Sequence, residues 1–124
     1  MTTRLIGLYS VALGLAVAGL WAAILVSGDL PEGRRALAFH LLSEALMALG
    51  VMIGGALLLK GHRTGAGIAA AAHAMVVYST LNAAGYYLQR GAAGVCGAMV
   101  LLAILSALLV VLLLGRLSDR AASA

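Results

Sequence analysis

The stretch ALAFHLLSEALMALGVMIGGALLL, residues 36 to 59, decides the fold. At about 1.5 Å of rise per helical residue it reaches roughly 36 Å, enough to cross the ~30 Å hydrocarbon core of a bilayer. Inside it sits Glu44, one helical turn after His40. A carboxylate near the centre of a membrane span costs roughly 2.5–3.5 kcal/mol or more. Of the chain's 4 acids, only this one lies well within a hydrophobic run. Whatever offsets its cost is the first candidate for function.

Three further runs flank this one: Leu5 to Val26, Gly65 to Leu88 and Ala93 to Gly115. The whole chain of 124 residues is 64% hydrophobic and 10% charged, with a mean hydropathy of +1.10. Soluble domains carry about 25% charged residues, and no soluble core of this size would hide so much apolar surface. The connections are short. Residues 27–35 hold Gly28, Asp29 and the single proline, Pro31; residues 60–64 and 89–92 form the other two. Short connections make successive helices antiparallel neighbours. The expected fold is therefore all-α: one integral membrane four-helix bundle, up-down-up-down, over residues 1–124, with spans at approximately 5–26, 36–59, 65–88 and 93–115.

The first run is too long for the 7–15-residue apolar region of a signal peptide, and no convincing cleavage site follows it. It reads as a retained span. Arg4, Lys60, Arg63, Arg116 and Arg120 fall on one side of the expected bundle, and Arg34, Arg35 and Arg90 on the other. The positive-inside rule then places both termini in the cytoplasm. The expected location is the cell membrane, as a multi-pass protein of a prokaryotic inner membrane. The net charge of +4 is the ordinary flanking charge of membrane spans. No basic stretch with interleaved aromatics points to nucleic acid. One cysteine, Cys96, excludes an internal disulfide and a thiolate metal cage.

Each run offers something different. Ser10, Gly14 and Ala18 recur every four residues in the first, a spacing that lets helix backbones approach. Trp21 stands near its outer end. In the second run His40, Ser43, Glu44, Met47, Val51 and Gly54 share a face at 100° per residue. A lipid-facing stripe of His, Ser and Glu is too costly, so this face should turn into the bundle. The third run has two polar stripes: Met75, Tyr78, Asn82, Tyr86 and Gln89 on one side, His73, Thr80 and Tyr87 on the other. Its first part, Gly65 to Ala72, is nearly all Gly and Ala. The fourth run is the plainest, with Gly94, Cys96, Gly97, Ala98 and Met99 near its start. No internal repeat relates the two halves.

Depths can be matched between the second and third runs. Glu44 lies about 12 Å in from Ala36, while Asn82 and Tyr78 lie about 9 and 15 Å in from Leu88. His40 is level with Tyr86. The expected site is thus a polar pocket in the outer half, formed by His40, Ser43, Glu44, Tyr78, Asn82 and Tyr86 and walled by Trp21, Met47 and Met99.

Two readings of Glu44 compete. It is either a carboxyl group fastening helices together or a proton-exchanging or cation-binding group. His40 is either an interfacial histidine or a partner in a proton couple. A copper(I) site would need a third ligand from Met47, Met99 or Cys96, and methionines in membrane helices are more often packing. His73 lies roughly 16 Å from the level of His40, too far for both to bind one haem iron within a chain. Ser43 beside His40 is too weak a signal for a nucleophile–base pair, so these residues do not point to a hydrolase.

The leading functional expectation is a binding or transport protein of the membrane that takes a small lipophilic or proton-coupled ligand at Glu44. The alternatives are an accessory subunit of a larger membrane complex and a quinone- or haem-associated redox protein. The expected partners are the lipid bilayer, a small lipophilic ligand and a second copy or a larger membrane complex. No cofactor is specified by these residues.

Overall fold

The computed structural model describes residues 2–28 and 33–122. The described chain is all helical. Four helices follow one another: α1 (Thr3–Ser27), α2 (Arg34–Leu59), α3 (Gly65–Gln89) and α4 (Ala93–Ala122). Among the described residues, α1, α2 and α4 are long and apolar enough to cross a membrane. α3 has the length but not the composition, because it carries His73, Ser79, Thr80, Asn82 and, near its end, Gly85, Tyr86 and Tyr87. Only three of the four expected spans thus qualify by hydropathy alone.

The helix ends have local causes. Thr2 caps α1, its hydroxyl accepting from Leu5 N–H at 3.5 Å. Two turns close on the same device. After α2, His62 N–H donates to Leu57 O at 2.9 Å and Gly61 N–H to Leu58 O at 3.1 Å. After α3, Ala92 N–H donates to Tyr87 O and Gly91 N–H to Leu88 O, both at 3.0 Å. This pairing needs a left-handed residue just past the helix, and Gly61 (φ 67°) and Gly91 (φ 72°) supply it. α4 does not stop at Gly115. A single glycine costs only about 1 kcal/mol in a helix. Beyond it Arg116 donates to Thr3 Oγ1 at 2.6 Å, holding the end of α4 to the start of α1.

α1 packs on α2, α2 on α3, and α3 on α4. α1 and α2 meet through glycine. A Cβ at Gly7 would fall 2.8 Å from Gly55 O, and one at Gly14 would fall 2.7 Å from Ala48 O. α2 and α3 meet just as closely, since a Cβ at Gly54 would fall 2.6 Å from Ala69 N. Backbones this near leave no room for bulkier residues and bring many atoms into dispersion contact, the usual basis of helix association in lipid.

Two apolar clusters fill the interior. Ile6, Leu58, Ala66, Ala69, Ala70, Leu109 and Leu113 form one; Leu13, Met47, Val51, Ala72 and Val76 form the other. The outside is equally apolar: Val26, Phe39, Leu101 and Val111 are among many exposed large hydrophobic residues. A surface of that kind suits lipid rather than water. The class is therefore a small four-helix membrane protein.

Candidate functional site

α2 brings Glu44 to the meeting point of three helices. Its residue is only 8% exposed. From α1, Trp21 Nε1 donates to Glu44 Oε2 at 3.3 Å. From α3, Ser79 Oγ donates to Glu44 Oε1. His40, one turn earlier on α2, holds Nε2 at 3.9 Å from Oε1 and sets its ring edge-on to the Trp21 indole, centroids 5.0 Å apart. The carboxylate is thus offset by two donors and one imidazole, which answers the cost its burial raises.

The two donors differ chemically. An indole N–H only donates. A hydroxyl donates to a carboxylate and accepts from a carboxylic acid. Ser79 can therefore pair with Glu44 as donor or as acceptor, whereas Trp21 can only donate to it.

Beside this cluster lies a cleft of about 320 Å³ between α1 and α2. Val17, Ala18, Leu41, Ala48 and Met52 line it, and Trp21 and Glu44 form its polar edge. Below it the helices touch through Gly14 and Ala48; above that contact Trp21 stands between them. The volume is at the small end of ligand sites, and its apolar lining with one or two convergent polar groups has the usual composition of such sites.

The residues expected at the site are distributed unevenly. Glu44, His40 and Trp21 come together. Met47 is buried in the second core cluster, against Leu13 and Val51 rather than on the cleft. Ser43 turns away and donates to Phe39 O of its own helix at 2.7 Å. Tyr78 is 74% exposed and Asn82 is exposed too. Tyr86 stacks edge-on with Tyr87 and receives the Arg90 guanidinium over its ring at 4.4 Å. Met99 is half-buried on α4. The partner that α3 gives to Glu44 is Ser79, a residue the polar-stripe reading passes over.

The rotation of α3 explains this. Gly65, Ala69 and Ala72 lie against α2, contacting Leu58, Gly54 and Gly50 respectively. Continued at the same alternating spacing of four and three, that stripe reaches Val76 and then Ser79. Tyr78 and Asn82 belong to a neighbouring face. Close packing of small residues sets the helix's orientation, and the polar side chains follow. Extending the Gly–Ala stripe by two steps was the signal available in the sequence.

A second polar cluster lies deeper in the chain. His73 is wholly buried. Ser10 Oγ donates to Ile6 O at 2.8 Å and lies 3.0 Å from His73 Nε2, while Ser106 Oγ lies 3.4 Å from His73 Nδ1. With the Ser10 proton committed to Ile6, Nε2 is placed to donate to Ser10 Oγ. Tyr9 stacks on the ring at 5.9 Å between centroids. This cluster joins α1, α3 and α4, and it is separate from the one around His40. Among the described residues no three His, Cys, Asp or Glu side chains group as metal ligands.

The fold and site together define a four-helix membrane protein with a buried, hydrogen-bonded carboxylate at the edge of an apolar cleft. The family Domain of unknown function (DUF8058) matches residues 1–124, and the chain belongs to it. No curated protein and no solved structure matches the chain.

Proposed function

We propose that the protein binds a small lipophilic cation in the α1–α2 cleft, with Glu44 as counter-ion, and exchanges that cation for a proton. The observation that carries this reading is Glu44 itself. Among the described residues it is the only buried acid, and it borders an apolar cleft, with His40 at 3.9 Å as its basic neighbour. An apolar cation satisfies both the lining and the charge. When the cation leaves, the carboxylate takes up a proton, and Ser79 switches from donor to acceptor. His40, half-exposed beside it, is positioned to pass that proton to and from water.

The same reading sets the protein in the cell membrane as four up-down spans with both termini cytoplasmic. Contacts of Gly7 with Gly55, Gly14 with Ala48 and Trp21 with Glu44 support opposite directions for α1 and α2. The cleft then lies in the outer half, open toward lipid.

Trp21 is the single tryptophan of the chain, so its fluorescence reports on the site. Tetrapropylammonium added to protein in liposomes should change that emission saturably at pH 8. The change should depend on the negative charge that Glu44 offers the cation. It should vanish in Glu44→Gln. An equal response to the neutral carbon isostere, or an unaltered response in Glu44→Gln, would overturn the proposal. A folded Glu44→Gln protein with wild-type stability, beside a wild type that gives no response, would leave Glu44 as a fastening between helices in a larger complex.

A further inference from the structure

α3 carries three seams, and only two are covered. Each advances by alternating steps of four and three, the spacing that keeps one helix against another. Gly65, Ala69, Ala72, Val76 and Ser79 face α2, as shown by the contacts of Ala69 with Gly54 and Ser79 with Glu44. Ala66, Ala70, His73, Thr80 and Ala84 are buried, and Val77 half-buried, on the side where His73 meets Ser106 of α4. The third seam is Ala71, Met75, Tyr78, Asn82, Gly85 and Gln89, and all six residues are exposed.

We infer that this third seam packs against the same seam of a second copy of the chain. Asn82 selects the partner. It lies about 10 Å in from the end of α3, within the hydrocarbon once α3 spans, where an amide without a partner is costly. An amide holds both donors and an acceptor, so an identical amide can pair with it through two reciprocal hydrogen bonds. A two-fold axis along the bundle sets Asn82 opposite Asn82 of the partner, and a single buried Asn on a seam fixes register and copy number in paired helices. Gly85, less than one turn further, has open space where a Cβ would stand, which allows the two backbones to approach. The seam carries no formal charge, so a charged partner segment would find nothing to pair with. The inference rests on the membrane placement of α3 and not on the ligand: the cleft is on the α1–α2 side, and Trp21 emission tests it separately.

The test is disulfide mapping in liposomes at high lipid-to-protein ratio. In a Cys96→Ser background, single cysteines at Met75, Tyr78 and Gly85 should cross-link to their own copies with copper phenanthroline. Cysteines at Leu15 of α1 and Leu101 of α4, both exposed, should do so at least tenfold more slowly. In the native seam, Asn82→Leu should lower the dimer fraction roughly tenfold, and Asn82→Gln should restore most of it. Circular dichroism and Trp21 emission confirm that each variant is folded. Cross-linking that is equal at all positions, or strongest at Leu15 or Leu101, would overturn the seam. So would a dimer indifferent to Asn82→Leu.

Discussion

Gly54 and Ala69 meet backbone to backbone: a Cβ built on Gly54 falls 2.6 Å from Ala69 N and 2.7 Å from Ala69 Cα. Neither atom is the loose end of a side chain, so neither can step aside. Gly54→Ala should therefore destabilise the bundle by about 1–3 kcal/mol, the usual cost of overpacking. Gly19→Ala, with nothing within 4 Å of its new methyl, should be neutral or slightly stabilising because alanine favours helix. Unfolding in mixed micelles by added denaturing detergent measures both. Equal effects would mean that α2 and α3 are not in contact at this point.

The same contact controls Ser79. Ser79→Ala removes a hydroxyl donor to Glu44 and should cost about 1.5–3 kcal/mol, the range for hydrogen bonds to charged groups. Asn82→Ala, on the exposed face, should leave the stability of the monomer in micelles within about 0.5 kcal/mol of wild type. The reverse order would place Asn82, not Ser79, against Glu44.

Trp21→Phe keeps an aromatic ring beside His40 and deletes the N–H that reaches Glu44 Oε2. Tetrapropylammonium affinity, followed by calorimetry, should fall roughly tenfold, the effect of losing one hydrogen bond to a charged group. Unchanged affinity would show that the indole N–H does not hold the carboxylate in its binding position.

His73 tests the deeper cluster. His73→Leu removes the contacts with both Ser10 and Ser106, on two different helices. The expected loss is about 1–2 kcal/mol, in the range for polar links between membrane helices. Cation binding should survive in protein that remains folded, since His73 shares no side-chain partner with Glu44. Loss of binding with full stability would connect the two clusters functionally.

Much of this was legible in the residues themselves. Apart from the far end of α4, which runs past Gly115 to Ala122, the helices begin and end close to the apolar runs, because hydrophobic length and the turn glycines Gly61 and Gly91 are local signals. The inward turn of Glu44 followed from its cost in lipid. Its depth, matched by counting 1.5 Å per residue, put Trp21 at its level. Helix rotation was the illegible part. Two polar stripes on α3 compete for the interior, and polarity does not choose between them: His73 and Thr80 are buried, while Tyr78 and Asn82 are exposed. The choice is made by where Gly65, Ala69 and Ala72 let backbones touch, a steric matter that hydropathy does not encode. The pairing of Trp21 with Glu44 had a similar cause. An indole near a helix end reads as an interfacial anchor until the neighbouring helix is in place.

The glycine contacts of α1 also govern how the cleft can open. Gly7 and Gly14 clamp one half of the helix to α2, and Ser10 fastens the same half to His73. Beyond Gly14 the described part of α1 meets its neighbours through side chains, Val17 against the second core cluster and Trp21 against Glu44. One half of α1 is thus held backbone to backbone and the other half by side chains alone. On the proposed reading, a guest entering the cleft from among the acyl chains would part rotatable side chains and leave the glycine contacts whole.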